Sequence, residues 1–140
     1  MIIISPGEYS VSTTLKVLKP LHIYAYGVTL QVNASSTSVA IQIGDKEHPI
    51  FSPHSFKGAK ILNVGKRGEG IGCETDIHIA GKSENVIIEA VNICDSSDFG
   101  AGVWIEHVEH TIIKECYFEN NPNIDIKIGS EKNASDSYTN

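Results

Sequence analysis

The chain has 140 residues, about one domain's worth, and its 41% hydrophobic and 20% charged residues exclude a disordered or collagen-like polypeptide. Eleven Lys and Arg against seventeen Asp and Glu give a formal net charge of −6, without the attraction to phosphate that dominates nucleic-acid affinity. Apolar runs such as Ile2-Ile3-Ile4 are far below the roughly 20 residues of a membrane span, and no basic segment leads a hydrophobic signal core.

In chain order the elements are short strands. Residues 1–11 predict an entry strand or amino-terminal cap of a domain spanning 1–129, and the polar stretch 130–140 predicts a flexible tail. Between them, pairs of apolar residues separated by one residue recur as Leu15/Val17, Ile41/Ile43, Ile77/Ile79, Val103/Ile105 and Ile126/Ile128. Their alternation has period two, so the named residues share one face and those between them face the other way.

A second pattern lies between these pairs: an apolar residue, two others, an apolar residue, one other, an apolar residue. It reads Ile23, Tyr26, Val28; Phe56, Ala59, Ile61; Ile88, Val91, Ile93; and Ile113, Cys116, Phe118, the last two copies standing 25 residues apart. Lys57-Gly58, Glu89-Ala90 and Lys114-Glu115 leave two residues to turn a tight corner, while longer excursions fall at 45–55 and 65–75. A unit of this size cannot bury its apolar side alone, but stacked coils share one interior and pair as parallel strands about 4.8 Å apart. The fold class is therefore all-β, a parallel three-sheet solenoid of about four to five coils. The Leu-x-x-Leu-x-Leu-x-x-Asn signature of a leucine-rich repeat is absent.

Ile3-Ile4-Ser5-Pro6-Gly7-Glu8-Tyr9-Ser10-Val11 resembles the entry segment, and Leu21-His22-Ile23-Tyr24-Ala25-Tyr26-Gly27-Val28-Thr29-Leu30 the first full rung, of right-handed single-stranded parallel β-helices. That superfamily includes pectate lyases, polygalacturonases and bacteriophage tailspikes. The resemblance covers approximately residues 2–129 at the level of rung pattern. It implies a sugar-binding groove on the sheet built from the paired strands. One such scaffold hosts lyases, hydrolases, epimerases and inert adhesion shafts.

On that sheet the outward residues form a ladder, Gln42, His78, Trp104 and Lys127, which the resemblance makes the substrate-binding candidates. Neighbouring lines hold Asp76, Gly102 and Asp125 before it and Gly44, Ala80, Glu106 and Gly129 after it. Trp104, the single Trp, is a candidate for stacking on a sugar ring, for a subunit interface, or for packing beneath a loop.

Glycoside hydrolysis needs two carboxyl groups flanking one bond, and the candidates are Asp76, Asp98, Glu106 and Asp125. Thr75-Asp76 and Asp95-Ser96-Ser97-Asp98 are similar to the Asn-Thr-Asp and Asp-Asp motifs of polygalacturonases. Here Glu74 stands in place of the Asn, two serines split the aspartates, and the Gly-His-Gly and Arg-Ile-Lys elements have no match. The lyase reading needs calcium and a base: Asp76 and Asp125 are the candidate ligands, Lys127 is the base on the ladder, and the sole Arg, Arg67, lies in the excursion. Calcium takes about six to eight oxygens, a demand these few carboxylates do not clearly meet, so no cofactor is expected and calcium stays the alternative.

The remaining motifs are weak. His107 and His110 lack zinc-site spacing, and Cys73, Cys94 and Cys116 read as buried free thiols rather than a metal or disulfide framework. Ala80-Gly81-Lys82-Ser83 lacks the first glycine of a phosphate loop, and Asn33-Ala34-Ser35 and Asn133-Ala134-Ser135 are formal glycosylation sequons. Three functions stay open: a module for carbohydrate recognition or adhesion, virion-associated or extracellular; a polysaccharide lyase or glycoside hydrolase; and a ligand-free structural solenoid. The partners expected are a polysaccharide or glycan and, at the uncapped carboxyl end, further β-helix coils or copies of the chain, as in a trimer.

Overall fold

A computed structural model describes residues 1–33, 36–64, 66–67, 70–71, 75–80, 83–94, 101–106, 108–121 and 124–129. The chain runs through five coils of three strands. The first contains β1 (Ile2–Ile3), β2 (Gly7–Val11) and β3 (Leu15–Val17), and the second β4 (His22–Tyr24), β5 (Val28–Asn33) and β6 (Val39–Ile43). The third has β7 (His54–Lys57), β8 (Lys60–Val64), an excursion through β9 (Lys66–Arg67) and β10 (Gly70–Ile71), and β11 (Thr75–Ile79). The fourth is β12 (Glu84–Glu89), β13 (Asn92–Cys94) and β14 (Ala101–Ile105), and the fifth β15 (Glu109–Lys114), β16 (Tyr117–Glu119) and β17 (Ile124–Ile128).

Three five-stranded sheets result, all with parallel pairing. Sheet A stacks β1-β4-β7-β12-β15, sheet B β2-β5-β8-β13-β16 and sheet C β3-β6-β11-β14-β17. The expected right-handed three-sheet β-helix is borne out; among the described residues only the β9/β10 hairpin of the excursion is antiparallel.

In-register pairing lines equivalent side chains into columns. Leu15, Ile41, Ile77, Val103 and Ile126 form one inward column and Val17, Ile43, Ile79, Ile105 and Ile128 another. Sheet A contributes Ile2, Ile23, Phe56, Ile88 and Ile113, and sheet B Tyr9, Leu30, Ile61, Ile93 and Phe118. Through the middle coils these residues are buried, each contributing about 1.5–3 kcal/mol by area.

One register differs from expectation. Val28 and Leu30, not Tyr26 and Val28, stand in line with Ala59 and Ile61, because the corner after Ile23 is two residues longer and turns at Gly27. Ala25 is buried there, and Tyr26 is 52% exposed.

The tight corners between sheets A and B behave as the two-residue intervals require. Their second residues, Gly58, Ala90 and Glu115, all take left-handed φ values, of 87°, 54° and 55°. Gly58 N–H donates to Glu89 O and Ala90 N–H to Lys114 O, so the ladder of hydrogen bonds continues through the bend. A left-handed L-residue costs roughly 1–2 kcal/mol, which glycine avoids at some cost in chain entropy. Ala90→Gly should therefore raise stability by about 0.5–1 kcal/mol. Gly58→Ala should lower it, because a Cβ there would meet the Tyr26 ring at 2.5 Å. Urea unfolding of both variants measures the two signs.

His54 is the polar intruder in the core, fully buried at the start of β7. Its Nδ1 accepts the Leu21 N–H at 3.2 Å, which places the ring proton on Nε2, an atom with no hydrogen-bond partner among the described residues. Burial, and then the neighbouring His22, push its pKa down from 6.5 to about 4. Between those values the unfolded chain binds a proton that the folded chain refuses, so stability is complete above pH 6.5 and drains away as pH falls toward 4. The expected loss is on the order of 3 kcal/mol. His54→Asn keeps an acceptor for Leu21 and should remove most of this slope in urea titrations at stepped pH. An unchanged slope in the variant would show that other groups carry it.

Candidate functional site

The ladder lies on sheet C, where register alone sets its geometry. Lys16, Gln42, His78, Trp104 and Lys127 stand in line on β3, β6, β11, β14 and β17. Each is flanked by inward apolar residues, so each points away from the core. Lys16 was not among the expected ladder residues, although its place between Leu15 and Val17 is the same signal that marked the other four.

The rungs touch. The His78 and Trp104 rings stack with centroids 4.3 Å apart and planes 10° from parallel, and the Lys127 ammonium lies 4.6 Å from the Trp104 ring centroid. Trp104 Nε1–H donates to the Gly129 carbonyl at 2.7 Å, and Gln42 Nε2–H to Gly44 O at 3.1 Å. Both faces of the indole are thus covered by its own ladder. A platform for a sugar ring needs a bare aromatic face, and this ring stands edge-on to solvent between rungs one strand apart.

The candidate carboxylates occupy different surroundings. Glu106 reaches back one coil to His78, Oε2 to Nε2 at 2.9 Å, with both side chains half-buried, so it orients the imidazole beneath Trp104. Asp76 is fully buried at the corner between sheets B and C, its Oδ1 accepting from Asn63 Nδ2 at 2.7 Å, and the same amide donates to Cys94 O. Asp125 is exposed, and its Oδ1 accepts from Asn121, whose amide also donates to Ile93 O. Between the two aspartates lies Gly102, where a Cβ would meet the Asp125 carbonyl oxygen at 2.8 Å and the Phe118 ring at 3.1 Å.

The structure therefore joins Gln42, His78, Trp104, Lys127 and Glu106 into one strip and leaves Asp76 beneath the adjoining corner. Asp98 and His107, like Cys73, Glu74 and the tail from residue 130, lie outside the described residues. His110 is on sheet A in a left-handed corner conformation shared with Asn85, one coil before it. Cys94 is buried and Cys116 half-buried. Among the described residues no group of three or more His, Cys, Asp or Glu is placed to hold a metal ion.

A second outward ladder shows how general this stacking is. On sheet A, Tyr24, Lys57, Glu89 and Lys114 stand in register, with Glu89 accepting from Lys57 at 2.8 Å and lying 3.2 Å from Lys114. Those hydrogen bonds, first the one to Lys57, hold the Glu89 carboxyl below the usual range and the Lys57 ammonium above it. Opposite charges here alternate along a column, whereas the sheet C ladder uses planar rings.

The stack on sheet C has a measurable energy. A double-mutant cycle of His78→Ala and Trp104→Ala in urea unfolding should give a coupling of about 0.5–1.5 kcal/mol, the worth of a stacked ring pair beyond its burial. Additivity of the two substitutions would mean that the rings do not interact in solution.

No protein-family model, no curated protein and no solved structure matches this chain, so the function is argued from the geometry of the strip alone.

Proposed function

We propose that this chain is a non-catalytic β-helix module of the adhesion type, recognising an extended glycan along the sheet C strip. One observation carries the reading: five outward side chains from five successive coils stand in a single straight column and present an amide, an imidazole held by a carboxylate, an indole edge and two ammonium groups. Four strand spacings make this column about 19 Å long. Such a row of donors and acceptors suits a linear chain of hydroxyl groups better than a compact ligand, which would call for a concave pocket.

Recognition in this reading is made by hydrogen bonds at the ladder's outer rim and not by stacking on Trp104, whose role is to hold His78 and Lys127 in place. The absence of chemistry is part of the proposal. Glycosidic cleavage needs a raised-pKa acid and a second carboxylate across the same bond, while Glu106 is engaged by His78 and Asp76 is buried under Asn63. The net charge of −6 favours a neutral over a polyanionic glycan.

A glycan array followed by calorimetry tests this. Gln42→Ala and Glu106→Ala should each weaken binding about tenfold, the loss of one or two hydrogen bonds. No new reducing ends or unsaturated products should form. Binding to no glycan, or product formation abolished by Glu106→Gln, would overturn the reading.

A further inference from the structure

The two ends of the solenoid carry matching edges. Among the described residues, β15, β16 and β17 at the carboxyl-terminal end are each paired on one side only, and the same holds for β1, β2 and β3 at the amino-terminal end. Each edge strand exposes unpaired backbone N–H and C=O groups, the usual template for adding a strand. Part of the apolar interior is exposed at both places: Ile126 and Ile128 are 40% and 48% exposed and Leu15 is 43% exposed, although Val17 beside it is buried, whereas the equivalents Ile77, Ile79 and Val103 are fully buried.

The columns name the occupant. Ile113, Phe118, Ile126 and Ile128 end four inward columns whose opposite ends are Ile2, Tyr9, Leu15 and Val17, so every column is apolar at both ends. Every pairing within the three sheets is parallel, so the strand directions that the last coil presents are those that the first coil accepts. A single added strand satisfies one edge and leaves two edges and the core uncovered. Another three-sided coil meets all three edges and seals the apolar face between them.

We propose that the carboxyl-terminal edge of one molecule docks the amino-terminal edge of a second copy, adding β1 to β15, β2 to β16 and β3 to β17. Each junction repeats the relation of β12 to β15. The contact is heterologous and leaves a free edge at each end of the assembly, so copies stack head to tail into open filaments. Register also brings Lys127 beside Lys16 of the second copy, continuing the sheet C ladder. Each copy carries a net charge of −6, so stacking should tighten as salt screens the repulsion between copies. This inference stands apart from the glycan reading, since it uses the ends of the solenoid and not the face of sheet C.

Sedimentation of the 140-residue chain tests it. The average mass should exceed the 15.2 kDa of a monomer, rise with protein concentration and rise further with ionic strength. Leu15→Lys blocks one edge and Ile126→Lys the other, both at exposed positions, so circular dichroism should show each variant folded. Each variant alone should be monomeric, and an equimolar mixture should give a species of twice the 15.2 kDa mass, formed from the two intact edges. A wild-type chain that stays monomeric at high concentration overturns the proposal. So does association that survives in either variant alone, or a mixture that gives no dimer.

Discussion

Parallel backbone pairing between successive coils is the constraint from which the rest of this molecule follows. Strands of sheets A, B and C exchange hydrogen bonds with their equivalents in the neighbouring coils, one strand spacing away. Equivalent residues of neighbouring coils are therefore stacked directly over one another. The apolar columns, the left-handed corners at Gly58, Ala90 and Glu115, and the ladders on two faces are consequences of that one repeat. The energetic counterpart is nearest-neighbour stability, in which each coil is held mainly by the two it touches.

Stacking at this distance also decides what an outward side chain can do. A planar group on a middle coil has its faces turned toward its neighbours and only its rim toward solvent, as His78 and Trp104 show. An aromatic on such a ladder stiffens the stack and orients the polar groups beside it. The same rule governs Glu89, which lies between Lys57 and Lys114 and is bound by both. Outward columns thus contribute to cohesion first, and a binding surface has to be made from what remains at the rim.

Much of this was legible from period and spacing. The apolar pairs of sheet C, the three-residue pattern of sheets A and B and the two-residue corners are local features, and all but one copy keeps its register in the structure. The exception, around Tyr26, arose because a longer corner still contains apolar residues that fit the template, and alternation alone does not count residues in a turn. Lys16 was readable from the same alternation. The buried state of Asp76 was not, since it depends on Asn63 from the preceding strand folding under the corner. Nor was His54, whose place in the core depends on the coils packed around it.

From the sequence alone come the coil repeat, the three-sheet architecture and the face on which each ladder residue sits, because those depend on side-chain alternation and on the length of chain between corners. Tertiary structure decided the rest: that Trp104 is enclosed by His78 and Lys127, that Glu106 is tied to His78, that Asp76 is sealed beneath a corner, and that Ile2, Tyr9, Leu15, Ile126 and Ile128 end their columns exposed. The physical reason is the same in each case. Alternation sets the direction of a side chain from its own strand, but its surroundings are set by residues some 25 positions away that register brings one strand spacing above and below it.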